Sequence, residues 1–212
     1  VGSEMCIRDS TKGTVNEIQP LGSGLINDTY KVTTLEADAP DYVLQRINHA
    51  IFQNVEMLQT NIEAVTRHIR KKLTEQGADD IDRKVLSFIP ADTGKTYWYD
   101  GENYWRIMTF IPNAKTYETV DAEYSYYAGV AFGNFQAMLA DIPDTLGETI
   151  PDFHNMEFRL KQLRDAVAAD AVGRVKEVQY YLDEIEKRAD EMCKGERLYR
   201  EGKLPKRVCH CD

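Results

Sequence analysis

The sequence predicts an α+β fold with two lobes, in which a β-rich lobe with one helix precedes a helical lobe. Three segments rich in β-branched and aromatic residues, at 15–20, 29–34 and 42–47, are separated by turn residues, as in an antiparallel sheet. An Asp-Gly pair at 100–101 between two further strand-like segments predicts a hairpin. From residue 121 onward, apolar side chains recur at helical spacing instead.

The helix of the first lobe is predicted over residues 54–73, because apolar side chains recur there three or four residues apart and Asn54 can cap the first turn. A loop at 77–82 and a strand at 85–89 are expected to follow. Pro112 should end the last strand of this lobe. The second lobe is predicted to contain three amphipathic helices, at residues 124–139, 158–167 and 175–192.

The lobe boundary is expected near Pro112. Residues 14–111 would then form the N-terminal lobe, and residues 112–212 an incomplete helical C-terminal lobe. Residues 1–13 are set apart as an artefact or a disordered tail, because their first ten residues match nothing that follows.

Composition excludes some classes of function. The chain has 212 residues, with 26 Lys and Arg against 35 Asp and Glu and a formal net charge of −9, which disfavours non-specific nucleic-acid binding. No apolar run of membrane-spanning length and no secretory signal pattern occurs, and the four cysteines do not form a disulfide framework. We therefore expect a cytoplasmic protein with no membrane or nucleic-acid partner.

A glycine-containing connection between the first two strands is the first candidate site. It contains Gly22, Ser23, Gly24, Asn27 and Thr29. Glycines let backbone N–H groups approach an anion closely, so the connection can cover phosphates. A dinucleotide fold is disfavoured because a strand follows the loop instead of a helix. An ordinary hairpin remains the alternative.

A cation beside this loop would hold the phosphates, but the third strand contains no lysine. Arg46 and Gln45 are the candidates, and strand alternation allows only one of them to face the site. Arg46 suits the electrostatics better and Gln45 suits the alignment of the strand better, so the choice stays open. Glu63 is preferred over Glu56 as the helix carboxylate that would pair with this position.

Two later segments complete the candidate site. Met108, Phe110 and Ile111 follow a strand and can enclose an adenine ring at a hinge. His210 and Asp212 form a His-x-Asp pattern, in which the aspartate accepts a hydroxyl proton. A zinc site at this end is disfavoured because the usual C-x-x-C pairs are missing.

In this order, five segments resemble the aminoglycoside-phosphotransferase-like (choline kinase-like) small-molecule kinases, most closely the bacterial N-acetylhexosamine 1-kinases. They are residues 22–30, 42–48, 104–111, 128–136 and 210–212. The resemblance implies a protein-kinase-like two-lobed fold. It also implies transfer of the γ-phosphoryl group of ATP, with Mg²⁺, to the anomeric hydroxyl of an N-acetylhexosamine.

The same resemblance implies a role for each candidate. Asp212 would be the catalytic base and His210 would hold its loop, while residues 22–29 would cover the phosphates and residues 108–111 would line the adenine. The metal-binding residues of the family would lie beyond Asp212, so we expect no metal ligands within this chain. A fragment that ends there is expected to be inactive.

The acceptor site is expected before the catalytic loop. Asp152, His154 and Asn155 offer donors and acceptors for sugar hydroxyls. The alternative is that each is a loop residue without a ligand. Other acceptors, such as choline, homoserine or an aminoglycoside, are the alternative. A nucleotide-binding pseudokinase is a further alternative, which the missing strand lysine motivates. The oligomeric state is left open.

Overall fold

The computed structural model describes residues 11–22 and 24–209. In these residues, five strands form one sheet: β1 (Val15–Pro20), β2 (Asp28–Thr34), β3 (Tyr42–Ile47), β4 (Trp98–Tyr99) and β5 (Tyr104–Thr109). The α-helices are α1 (Val55–Glu75), α2 (Ile81–Lys84), α3 (Ala122–Leu139), α4 (Met156–Ala169), α5 (Gln179–Met192) and α6 (Lys194–Arg200). A 3₁₀ turn, Val175–Val178, directly precedes α5.

The strands lie in the order β1-β2-β3-β5-β4, and each neighbouring pair is antiparallel. In this register Gln45 lies opposite Thr29 on one neighbouring strand and opposite Arg106 on the other. Directly opposite residues project to the same side of a sheet, so these three side chains share one side. Arg46 and its opposite residue Asp28 belong to the other side.

Helix α1 packs on the side of the sheet that carries Gln45, which we call the helix side. Asn54 caps the helix as expected, because its side-chain oxygen accepts a hydrogen bond from the Met57 amide at 2.9 Å. Ile47, Val55 and Leu58 form the buried cluster between helix and sheet. The opposite side has its own cluster, formed by Val32, Tyr42, Leu44 and Ile107.

The predicted strand at 85–89 is wrong, because the segment makes only an isolated bridge between Phe88 and Met108. Two backbone hydrogen bonds join it to β5, and Pro90 then interrupts the pairing because proline has no N–H to donate. The loop expected at 77–82 is shorter than predicted, since the single-turn α2 begins at Ile81.

The described residues form two compact units, one that extends to Thr149 and also includes Cys209, and one formed by Ile150–Val208. The first unit contains the sheet with α1, α2 and α3. In the second, Leu160, Ala189 and Cys193 form a small core between α4 and α5. The lobe boundary near residue 112 stays a prediction. Across residues 11–22 and 24–209, no helix has the length and apolar character needed to cross a membrane.

Candidate functional site

The glycine-containing connection is closed and anchored by backbone contacts. At its base the Leu21 amide donates to the Thr29 carbonyl at 2.8 Å. Gly22 has φ +73°, a conformation that side-chain-bearing residues rarely adopt. The side-chain oxygen of Asn27 accepts from the Asn48 amide at 2.9 Å, which ties the loop to the end of β3. Gly24 lies in the same connection between β1 and β2. Ser23 lies outside the described residues.

Gln45 and Arg46 project to opposite sides of β3, and the structure distinguishes their surroundings. Arg46 lies on the side away from α1, where its Nε donates to the Asp28 carboxylate at 2.6 Å. Both side chains of this ion pair are nearly half exposed. Gln45 lies on the helix side, where its amide nitrogen donates to the Thr29 hydroxyl at 2.9 Å. It is therefore Gln45 that connects with the end of the glycine-containing connection.

The cation that contacts Gln45 on the helix side is Arg106 of β5, which the sequence reasoning missed. Its Nε and one Nη donate to the Gln45 side-chain oxygen at 2.8 and 2.6 Å. Its other Nη donates to the side-chain oxygen of Gln59 on α1 at 2.8 Å. The guanidinium also lies over the Phe88 ring, 5.7 Å from its centroid. The signal was present in the sequence, since Arg106 is the one charged residue of the strand Tyr104–Thr109.

The charge of Arg106 has no counter-ion among residues 11–22 and 24–209, where no Asp or Glu forms a salt bridge with it. Burial lowers the pKa of Arg106 to about 10, since desolvation disfavours the charged form. This loss of hydration is the one cause that shifts the pKa of Arg106. The partly buried guanidinium therefore carries a desolvation cost in free energy. An anion that binds to it would offset this cost.

Glu63, the predicted partner of a strand cation, binds elsewhere. Its carboxylate accepts a hydrogen bond from the Thr96 hydroxyl at 2.5 Å. Gln59, fully buried one turn earlier, donates to the Thr96 carbonyl and hydroxyl at 3.1 and 3.0 Å. Glu63 therefore reaches Arg106 only indirectly, through Thr96 and Gln59. A direct pair between Glu63 and Gln45 or Arg46 is not formed in the described structure.

The predicted adenine residues lie at the end of β5. Met108 is buried on the helix side. The Lys31 Nζ lies over the Phe110 ring, 4.3 Å from the ring centroid. Phe110 and Ile111 line an open groove of about 510 Å³ together with the β2–β3 hairpin. The Phe110 amide is already satisfied, since it donates to the Asp41 carbonyl at 2.9 Å. A bound ring would therefore need other backbone groups of this segment.

The three candidate acceptor residues belong to the second unit. Asn155 caps α4, because its side-chain oxygen accepts from the Phe158 amide at 3.2 Å. Its amide nitrogen donates to the Asp152 carboxylate at 2.9 Å, and Asp152 itself has φ +55°. The His154 ring meets the Phe153 ring edge to face, with centroids 4.8 Å apart. Two of the three thus have local structural roles, and an acceptor role for any of them stays a prediction.

The catalytic-loop candidates His210 and Asp212 lie outside the described residues. Over residues 11–22 and 24–209, no group of three or more His, Cys, Asp and Glu side chains is arranged to hold a metal ion. The roles expected for Mg²⁺ and for these two residues therefore stay predictions.

Residues 17–212 match the family described as the phosphotransferase enzyme family. The chain belongs to this phosphotransferase family. Among solved structures, it is similar to a spectinomycin phosphotransferase crystallised with ADP and spectinomycin, with a TM-score of 0.57 and 11% sequence identity. The match covers 99% of this chain and 61% of the other, so the chain spans about three fifths of that protein's length. This likeness confirms the predicted α+β fold with an antiparallel sheet.

In this member of the family, four of the predicted nucleotide residues lie on one side of the sheet. The strand register places Thr29, Gln45 and Met108 on the helix side. Phe110 follows β5, and its ring lies against Lys31, which the register places on the same side. Arg46 is the predicted residue that the register places on the other side.

Proposed function

We propose that this protein is an ATP-dependent kinase that phosphorylates a hydroxyl of a small molecule, and that the sheet of the first unit binds the nucleotide. The observation that carries the proposal is the shared side of Thr29, Gln45 and Met108, with the Phe110 ring against Lys31 on that same side. The sequence alone predicts all of these residues except Lys31 as nucleotide contacts. Membership of the phosphotransferase family supports the same assignment.

In this proposal the connection at residues 22–29 covers the phosphates. Its backbone N–H groups are suited to anion binding, and the Asn27 anchor limits its motion, so less order must be gained on binding. Adenine would occupy the groove beside Phe110 and Ile111, whose volume lies within the usual range of ligand sites. Gln45 would then lie between loop and groove.

The acceptor that we propose is an N-acetylhexosamine, bound through its anomeric hydroxyl. Asp212 would take the hydroxyl proton while the acceptor oxygen bonds to the γ-phosphorus and the bond to the bridging oxygen of ADP breaks. The sequence resemblance to N-acetylhexosamine 1-kinases supports this choice. Mg²⁺, when bound, would supply charge neutralisation, and no described residue is assigned to hold it.

The proposal is tested by an ATP-consumption assay on the protein made from its complete gene. The acceptor panel contains N-acetylglucosamine, N-acetylgalactosamine, choline, homoserine, kanamycin and spectinomycin. We expect turnover with an N-acetylhexosamine that is lost in Asp212→Asn. Asp190→Asn is the matched control, because Asp190 is exposed and pairs only with Arg197 at the surface, and it should keep full turnover.

Other outcomes discriminate between the alternatives. Turnover with choline, homoserine or an aminoglycoside alone would retain the kinase assignment and reject the sugar. ATP binding without turnover on any acceptor would favour the pseudokinase alternative. Absence of ATP binding would reject the proposal as a whole.

A further inference from the structure

The unpaired charge of Arg106 is the feature of the described structure that most needs a ligand. Arg46 and Arg67 are instead paired with carboxylates at the surface, Asp28 and Asp144 respectively. Arg106 is partly buried and has only neutral hydrogen-bond partners among the described residues. A buried charge of this kind is retained at a cost, and an anion that binds there removes the cost.

Two glutamines fix the direction of the guanidinium. Gln45 accepts two of its N–H groups and Gln59 accepts a third. Arginine has five N–H donors, so one donor on each terminal nitrogen has no partner in the part of the chain that the structure describes. Because the amide oxygens orient the side chain without neutralising it, Arg106 keeps its full charge for a ligand. A carboxylate at either glutamine position would have consumed that charge.

The position of Arg106 identifies the chemical class of the ligand. Gln45 links Arg106 to Thr29, the second residue of β2, at the end of the glycine-containing connection. Neighbouring strands lie about 4.8 Å apart, so the two-strand separation is within the reach of a polyphosphate and an extended arginine. Guanidinium groups bind phosphate oxygens well through N–H donors on their terminal nitrogens, and each terminal nitrogen of Arg106 retains one such donor in the described part of the chain.

We infer that Arg106 binds the phosphate oxygens of the nucleotide, and that it supplies from β5 the positive charge for which kinases use a lysine on β3. The inference rests on the proposed function, since it assumes that the helix side binds ATP. Gln45 and Gln59 are positioning residues that hold Arg106. The positive charge then lies on β5, the strand next to β3. The absence of a lysine on β3 therefore does not indicate that the phosphate site has been lost.

The test compares the dissociation constants of ATP and adenosine for the wild-type protein, Arg106→Gln and Arg106→Lys, by isothermal titration. Hydrogen bonds to a charged group contribute enough that Arg106→Gln should weaken ATP binding about 10- to 100-fold. Adenosine binding should stay unchanged, because it has no phosphate. Arg106→Lys keeps the charge and should lose less ATP affinity than Arg106→Gln. Arg67→Gln, an exposed arginine on α1, is the matched control and should change neither ligand.

Thermal unfolding without nucleotide separates this role from a purely structural one. We expect Arg106→Gln to unfold at a temperature no more than slightly below wild type, since it removes an unpaired buried charge, and to lose most of the stabilisation by ATP. A structural role would instead lower the melting temperature and weaken ATP and adenosine equally. If Arg106→Gln does not fold, Arg106→Lys is used in its place. Its ratio of the dissociation constants for ATP and adenosine is then compared with the ratio for wild type.

The binding measurements distinguish a failure of the inference about Arg106 from a failure of the proposed function. If wild type binds ATP and Arg106→Gln binds it as tightly, the inference is wrong and the proposed function stands. An ATP affinity no greater than the adenosine affinity in wild type would also overturn the inference. If wild type binds neither ligand, the proposed function and the inference fall together.

Discussion

The two sides of the sheet treat an arginine in opposite ways. On the side away from α1, Arg46 is 45% exposed and its hydrogen bonds to Asp28 raise its pKa. On the helix side, Arg106 lies against Gln45 and Gln59, and burial lowers its pKa to about 10. One charge is therefore satisfied within the chain, and the other is held in place without a counter-ion among the described residues.

This difference indicates which of the two charges is available to a ligand. An exposed ion pair contributes only about 0–1 kcal/mol to stability, and its charges are hydrated and screened by salt. A partly buried guanidinium that is oriented by neutral amides interacts more strongly with an added anion, because less water competes for it. The more conspicuous candidate in the sequence, Arg46, is thus the less suitable one in the structure.

The largest effect should come from the packing that supports the helix side. Ile47→Ala removes a side chain that is only 1% exposed and lies beneath α1, and this should cost about 2–5 kcal/mol of unfolding free energy. Ile18→Ala on β1, where the side chain is 38% exposed, should cost less than about 1 kcal/mol. Urea unfolding of both variants measures the contrast. Equal losses would show that the burial of Ile47 beneath α1 contributes no more to stability than the exposed position of Ile18.

The next effect should come from giving Arg106 a carboxylate. Gln45→Glu gives Arg106 a carboxylate partner, as Arg46 has in Asp28. The protein without nucleotide should therefore become more stable, and its ATP affinity should fall about tenfold or more. Gln162→Glu is the matched control, because Gln162 accepts from Arg159 in an exposed pair in the second unit. Titration and thermal unfolding measure both quantities. Unchanged ATP affinity in Gln45→Glu would contradict the assignment of the charge to phosphate binding.

A smaller effect is expected at the exposed pair. Asp28→Asn and Arg46→Gln should each change the unfolding free energy by less than about 1 kcal/mol, because the pair is exposed. ATP affinity should change less than about twofold in Arg46→Gln, since its charge is already matched by Asp28. Any dependence on this pair should disappear in high salt. A loss of ATP affinity in Arg46→Gln as large as that in Arg106→Gln would show that both sides bind the nucleotide.

The smallest effect should be a pH dependence at another surface contact of α1. Hydrogen bonds from Lys72 and His68 lower the pKa of Asp141 below its usual value. A carboxylate with a lowered pKa in the folded state stabilises the protein above its unfolded pKa, and the contribution is lost as pH falls through the folded value. Asp141→Asn should therefore be slightly less stable than wild type at pH 7. The difference should disappear as the pH falls below the lowered pKa of Asp141, as measured by chemical unfolding.

Much of the first unit was predictable because its signals are local. Strand alternation, the Asn54 cap and the Asp-Gly hairpin each depend on a few neighbouring residues, and all three were confirmed. Alternation also showed that Gln45 and Arg46 must face opposite sides. It could not show which side α1 would cover, because that depends on tertiary packing.

The missing part of the site is a long-range property. Arg106 and Gln45 are 61 residues apart in sequence, and they meet only because β5 pairs with β3 in one register. No local pattern specifies that register. The role of Asn155 was ambiguous for a related reason, since the same amide can cap a helix or bind a hydroxyl, and the cap of α4 is visible only in the structure.

The most direct test is a crystal structure of the protein with bound ADP. We expect a phosphate oxygen within about 3 Å of a terminal nitrogen of Arg106, with Gln45 and Gln59 still in contact with the guanidinium and Arg46 still paired with Asp28. A nucleotide whose phosphates contact Arg46, or one that leaves Arg106 bound to the two glutamines alone, would contradict the assignment of the helix side as the phosphate site.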